Sequence, residues 1–127
     1  MKKEDIPDDD FLFRRSSCET FDKKRYRFTA PTFMLRKNKG EKGLSVNWSK
    51  YSTPEKTSIC PITGKRFYVG KVKAIIPREV DLDVNHTPSK HNKAHCTICG
   101  DQLYDDLKAY EIAEYIAEKC IPVIISL

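Results

Sequence analysis

Residues 85–100, NHTPSKHNKAHCTICG, hold three histidines and two cysteines in sixteen positions. They fit either a metal site or a polar loop entering a strand. Zinc takes four thiolate or imidazole ligands, commonly delivered as short-spaced pairs. Cys96 and Cys99 make one such pair. Cys60, in CPITG, has the shape of a second knuckle with Thr63 where another cysteine would stand. A degenerate zinc-ribbon-like module would then use Cys60, Cys96 and Cys99 with one of His86, His91 or His95. Alternation argues for something else. Successive strand residues face opposite ways, so Cys96 and Ile98 share one face while Thr97 and Cys99 share the other, and the two thiols cannot close on one ion. The reading adopted is a polar loop from His86 to Ala94 feeding a core strand, with no metal and no cofactor assigned.

Outward from this strand, the same period-two pattern recurs. In LSVNW, Leu44, Val46 and Trp48 alternate with Ser45 and Asn47, the pattern of a half-buried strand. FLFRRSS predicts a strand with Phe11 and Phe13 on one face and Leu12 and Arg14 on the other. RYRFTAPTFMLR predicts an extended run broken at Pro31, and VDLDV a short strand. A further strand carries Phe67, Val69 and Val72 and stops at Pro77, after a tight turn at Thr63-Gly64. Pro54, with Ser52 or Thr53 as the cap, starts one helical turn. A longer helix spans Tyr104 to Cys120, where Leu107, Tyr110, Ala113, Ala117 and Cys120 recur at helical spacing and Ile112 and Ile116 widen the apolar face. Asp101, Asp105 and Asp106 sit near its start, where the helix dipole favours acids. IPVIISL is a last strand or a packing tail. The expected fold is α+β: a single domain over residues 11–127, preceded by a flexible arm over residues 1–10. Its mixed or mostly antiparallel sheet has about six short strands, with one long C-terminal helix.

Composition bounds the function. The 127 residues carry a net charge of +5 with 39% hydrophobic content, an ordinary soluble mix with no apolar run of membrane length. The start lacks the apolar segment of a secretory signal. Five cysteines, an odd number, fit a reducing compartment, so a cytoplasmic protein is expected. Residues 14–50 carry eleven Lys or Arg against Glu19, Asp22 and Glu41, whereas residues 101–120 carry six acids against Lys108 and Lys119. A basic half attracts phosphates. Phe13, Tyr26, Phe28, Phe33 and Trp48 lie among those basic residues, a composition that suits single-stranded nucleic acid and equally suits the core face of a sheet. No G-x-S-x-G elbow, P-loop or H-E-x-x-H occurs, so the sequence names no reaction.

The motifs FRR at 13–15, APTF at 30–33, GLSVNW at 43–48 and HNKAHCTICG at 91–100 together resemble a family of small uncharacterised bacterial proteins. That family carries an Arg-Arg start, a Gly-Leu-Ser-Val strand and a late Asn-x-Ala-His, and it has no established activity. The resemblance implies that Asn92 and His95 matter more than the cysteine pair. CPITGKRF has no counterpart in the family pattern. The expected site therefore gathers Arg14, Arg15, Ser45, Asn92 and His95 into a basic polar pocket for a phosphate-bearing ligand, a nucleotide or nucleic acid. The alternative reading is a protein–protein accessory module of a bacterial multi-gene system.

Overall fold

The computed structural model describes residues 2–125. Eight strands appear in chain order: β1 Phe11–Ser16, β2 Phe21–Asp22, β3 Arg27–Phe28, β4 Leu44–Trp48, β5 Tyr68–Lys73, β6 Asp83–His86, β7 His95–Cys99 and β8 Ile121–Val123. Three α-helices, α1 Pro54–Thr57, α2 Ile75–Glu79 and α3 Asp106–Lys119, are joined by 3-10 turns that include Ala30–Phe33 and Asp101–Tyr104. Six strands form one sheet in the order β6-β7-β4-β1-β5-β8, and β2 and β3 form a small second one. Every registered pair in the large sheet is antiparallel. The protein is α+β, and its longest helix is C-terminal.

The alternating strands bury one face. Leu44, Val46 and Trp48 are buried and Ser45 is exposed. Cys96 and Ile98 are buried between the partly exposed His95, Thr97 and Cys99. Leu12, Val72, Trp48 and Ile98 join Phe28, Phe33, Ala113 and Ile116 in one core, which packs α3 and the Ala30–Phe33 turn on the same side of the sheet. The other face, carrying Ser45, Asn47, His95 and Thr97, is polar. An antiparallel sheet tolerates this, because only one side has to leave water.

The helix buries its expected face at Ala113, Ala117 and Cys120 and departs from it in the first turns. Asp105 caps α3, accepting from the backbone of Leu107 and Lys108. Leu107 and Tyr110 stand in solvent; the buried stripe is Ala109, Ala113, Ile116 and Ala117. Small alanines let the helix lie close to the Ala30–Phe33 turn, and that close approach sets the helix phase. In β1, both Leu12 and Phe13 are buried. Two extended-run expectations become helical turns, at Ala30–Phe33 and Ile75–Glu79. Thr53 caps α1 as expected, accepting from the Lys56 amide. Residues 4–10, expected to form part of a flexible arm, make specific contacts: Ile6 is buried, Glu4 bonds Lys50 and Tyr51, and Asp10 accepts from Trp48 Nε1 at 2.9 Å.

Gly70 of β5 shows how tight the packing is. A Cβ there would collide with Cys120 Sγ and lie 2.6 Å from Phe28 Cε2. Gly70→Ala should therefore lower stability by about 2 kcal/mol, within the usual range for overpacking. Urea denaturation checks this, and an unchanged midpoint would mean that β5 and β3 pack more loosely than described.

Candidate functional site

The sheet opens at one place. β1 registers with β5 over six residue pairs, but with β4 over only Leu12–Trp48 and Phe13–Asn47. Antiparallel ladders alternate hydrogen-bonded and non-bonded pairs. Ser49 donates to the Phe11 carbonyl, so the hydrogen-bonded series would continue to Arg15 opposite Ser45. Instead the strands part. Arg14 Nη1 donates to the Ser45 carbonyl at 2.8 Å, and its Nε donates to the Thr32 carbonyl at 2.9 Å. A side chain thus takes the place of a ladder bond. It also ties β4 to the turn that covers the core.

A cleft of about 420 Å³ lies against this split. Its walls include all five residues expected at the site: Arg14, Arg15, Ser45, Asn92 and His95. Three arginines, counting Arg36, face it against one carboxylate, Glu41. That carboxylate is already held by Arg36 at 2.7 Å, and despite burial, hydrogen bonds and the charge of Arg36 keep it below the usual carboxylate range. Burial lowers the Arg14 guanidinium to about 10, so it remains charged at neutral pH.

The five residues divide by what they already bond. Arg14 spends two of its five donors on carbonyls. Asn92 bonds the protein through both ends of its amide: its Nδ2 donates to Asn47 Oδ1 at 2.9 Å and its Oδ1 accepts from the Ala94 amide at 3.1 Å. Asn47 in turn donates to Thr57 Oγ1 at 3.1 Å, so this chain of amides braces the floor between β4, the loop before β7, and α1. Arg15 gives one bond to the Ile59 carbonyl at 3.3 Å, and its guanidinium lies 5.9 Å from the Phe67 ring. Among the described residues its other donors have no partner. Ser45 and His95 point at each other, with Oγ 3.2 Å from Nε2.

The three histidines of residues 85–100 have separate fates. His86 is buried; its Nε2 donates to the Lys93 carbonyl at 2.7 Å and its Nδ1 accepts from the Glu4 amide at 3.1 Å. It stacks on Tyr51 with ring planes 18° apart, a satisfied structural imidazole. His91 is exposed on the loop. His95 alone faces the cleft. Its Nδ1 lies 3.0 Å from the Thr87 carbonyl and 2.8 Å from Thr87 Oγ1. A carbonyl at that distance would set two lone pairs facing each other unless Nδ1 carries the proton, so the network assigns the neutral ring its hydrogen on Nδ1. Nε2 then presents a lone pair to Ser45.

The cysteines do not assemble. Cys96 lies in the core, where burial pushes its thiol up to about 12. Cys99 is on the opposite face beside Asn85, and Cys60 lines the cleft. Among the described residues no three His, Cys, Asp or Glu side chains gather as a metal ion would require, so the zinc-ribbon alternative has no ligand set here. Thr63 occupies the position of the missing knuckle cysteine for a different reason. Its hydroxyl, with the amides of Thr63 and Ile62 and the charge of Arg15, brings Cys60 down to about 7.

No protein-family model, curated protein or solved structure matches this chain. The site must be judged on its geometry.

Of the groups at or behind the cleft wall, Asn47, Thr57 and Thr87 do not emerge from the sequence as site residues, and Cys60 emerges only as a metal-ligand candidate. Asn47 carries the one signal available, its place beside Ser45 on the polar face of LSVNW. The split itself has a direct test. Arg14→Met should cost about 2 kcal/mol, because two carbonyls lose a charged donor. Arg14→Lys should recover little, since a point ammonium cannot span both acceptors. Arg15→Ala, at an exposed position, should change stability by about 0.5 kcal/mol or less. Denaturant titration of the three variants checks the ordering, and equal losses at positions 14 and 15 would contradict it.

Proposed function

We propose that the cleft binds a small phosphate-bearing ligand of nucleotide size. The observation that carries this reading is the excess of guanidinium over carboxylate in one concave, polar space. Arginine forks match the oxygens of phosphate, and partial burial strengthens each bond by reducing competition from water. Arg15 supplies the free fork, Arg14 adds charge from below, and Ser45 and His95 offer a hydroxyl and an imidazole at the same wall. Asn92 holds that wall in place.

The same structure argues against the nucleic-acid version. Stacking on single strands needs exposed rings. Phe13, Phe28, Phe33 and Trp48 are buried, and of that group only Tyr26 is half exposed. A ligand with one phosphate group and a small organic part suits the cleft better than a polymer. The second reading, a protein–protein accessory module, draws on Leu107 and Tyr110, which α3 leaves in solvent.

Calorimetry with inorganic phosphate and a 5′-nucleoside monophosphate separates these readings. Binding by the parent should weaken as salt is raised, and Arg15→Ala should lose about tenfold in affinity, roughly 1.4 kcal/mol. A variant that binds like the parent, or a parent that binds neither compound, would refute the reading.

A further inference from the structure

Ser45 and His95 are fifty residues apart in sequence, yet they meet at the wall of the cleft on the diagonal of adjacent strands: β4 and β7 pair Ser45 with Thr97 and Asn47 with His95. The arrangement has three parts. The Thr87 carbonyl fixes the proton on His95 Nδ1, Nε2 is left as a lone pair, and the Ser45 hydroxyl lies 3.2 Å from it. A nucleophile within hydrogen-bond reach of a base, with the base oriented by a third group, is the geometric mark of an activated hydroxyl. The backbone of Ser45 is held as well, because its carbonyl is bonded by Arg14. Position and tautomer are therefore both set before any ligand arrives.

We propose that Ser45 is a nucleophile and His95 its general base, and that the cleft hydrolyses a phosphate ester. This rests on the phosphate-binding reading above. In the first step Ser45 Oγ bonds to phosphorus as the ester P–O bond breaks. The serine proton passes to His95 Nε2, which releases it to solvent, while the alkoxide departing on the far side of phosphorus takes a proton from solvent, leaving a phosphoserine. In the second step His95 takes a proton from water, the water oxygen bonds to phosphorus, the P–Oγ bond breaks, and the proton returns to Ser45. The sum is ester plus water giving alcohol plus phosphate, with no redox change. The unpartnered donors of Arg15 line the same cleft and would meet the charge that builds on the phosphoryl oxygens, where preorganised donors act most strongly. Thr87 is a positioning residue, acting only through the imidazole.

A fluorophosphonate probe tests the nucleophile directly, since Oγ attack forms a stable P–O bond and expels fluoride. The parent should take up one label, located on Ser45 by peptide mass mapping. Ser45→Ala should take up none. His95→Gln, which keeps a polar side chain at the position, should label about 100-fold more slowly, the usual scale for losing a general base. Thermal melts establish that each variant is folded. If His95→Gln does not fold, Thr87→Val supplies the second arm: it keeps the carbonyl and exchanges only the hydroxyl for a methyl, so labelling of Ser45 should persist, and its loss would overturn the assignment of the His95 proton to the carbonyl. Label on other residues, no label at all, or a rate indifferent to His95 would overturn the dyad. Inorganic phosphate added as a competitor distinguishes the two claims. If it slows labelling, the binding reading stands; if Ser45 labels at a rate that phosphate does not alter, the dyad stands and the phosphate site falls.

Discussion

The functional face of this protein depends on one guanidinium. Where β1 and β4 would continue their ladder, Arg14 bonds the Ser45 carbonyl and the Thr32 carbonyl, and the two strands part. A ladder bond would have closed the sheet and left a flat polar surface. The inserted side chain instead satisfies the exposed carbonyl and opens a cleft, while the turn over the core is tied to the strand that carries Ser45. The cost is partial burial of a charge, visible in the lowered value for Arg14. Arginine can bear it because it remains protonated and its planar fork reaches two acceptors at once.

From that constraint the polar residues fall into two groups. Arg14, Asn47 and Asn92 each bond the protein itself and fix the walls. Arg15, Ser45 and His95 keep donor or acceptor capacity toward the open side. The two partly or fully buried histidines of residues 85–100 show the same division. His86 has both ring nitrogens bonded to the backbone, at Glu4 and Lys93, whereas His95 has one nitrogen bonded to the backbone and the other turned toward a hydroxyl. Rigid groups around a few unspent ones make a preorganised site, which avoids an ordering cost when a ligand binds.

Much of the architecture was legible in the sequence because one face of the sheet must leave water. Leu44, Val46 and Trp48 set against Ser45 and Asn47, and Cys96 and Ile98 set against His95 and Thr97, each state which side is inside. The gathering of five polar residues in one cleft follows from that sidedness, since all of them except Arg14 belong to the outer face or its loop. What stayed hidden depends on distance or on fine packing. The Ser45–His95 contact is a diagonal across strands fifty residues apart, and no local pattern encodes it. The bonds of Arg14 to two carbonyls depend on where a ladder stops. The N-terminal part of the α3 face is not legible, because its buried residue is Ala109, which carries a weak apolar signal, while the stronger apolar residues Leu107 and Tyr110 lie outside. Ile6, a single apolar residue among charges, gave no sign that the segment around it packs on the sheet.

The proposed ligand places a phosphate in the cleft beside Arg14 and Arg15. The most direct measurement is a nitrogen-15 NMR titration of the labelled chain with a 5′-nucleoside monophosphate, following the backbone amides, the arginine side-chain NH groups and the His95 ring nitrogens. A phosphate held there should concentrate the shifts at residues 14–16, 45–47, 57–60 and 92–95, including the Arg15 Nε–H and His95 Nε2. No shifts at saturating ligand, or shifts confined to the apolar groove near Tyr26, Tyr68 and Val123, would contradict it.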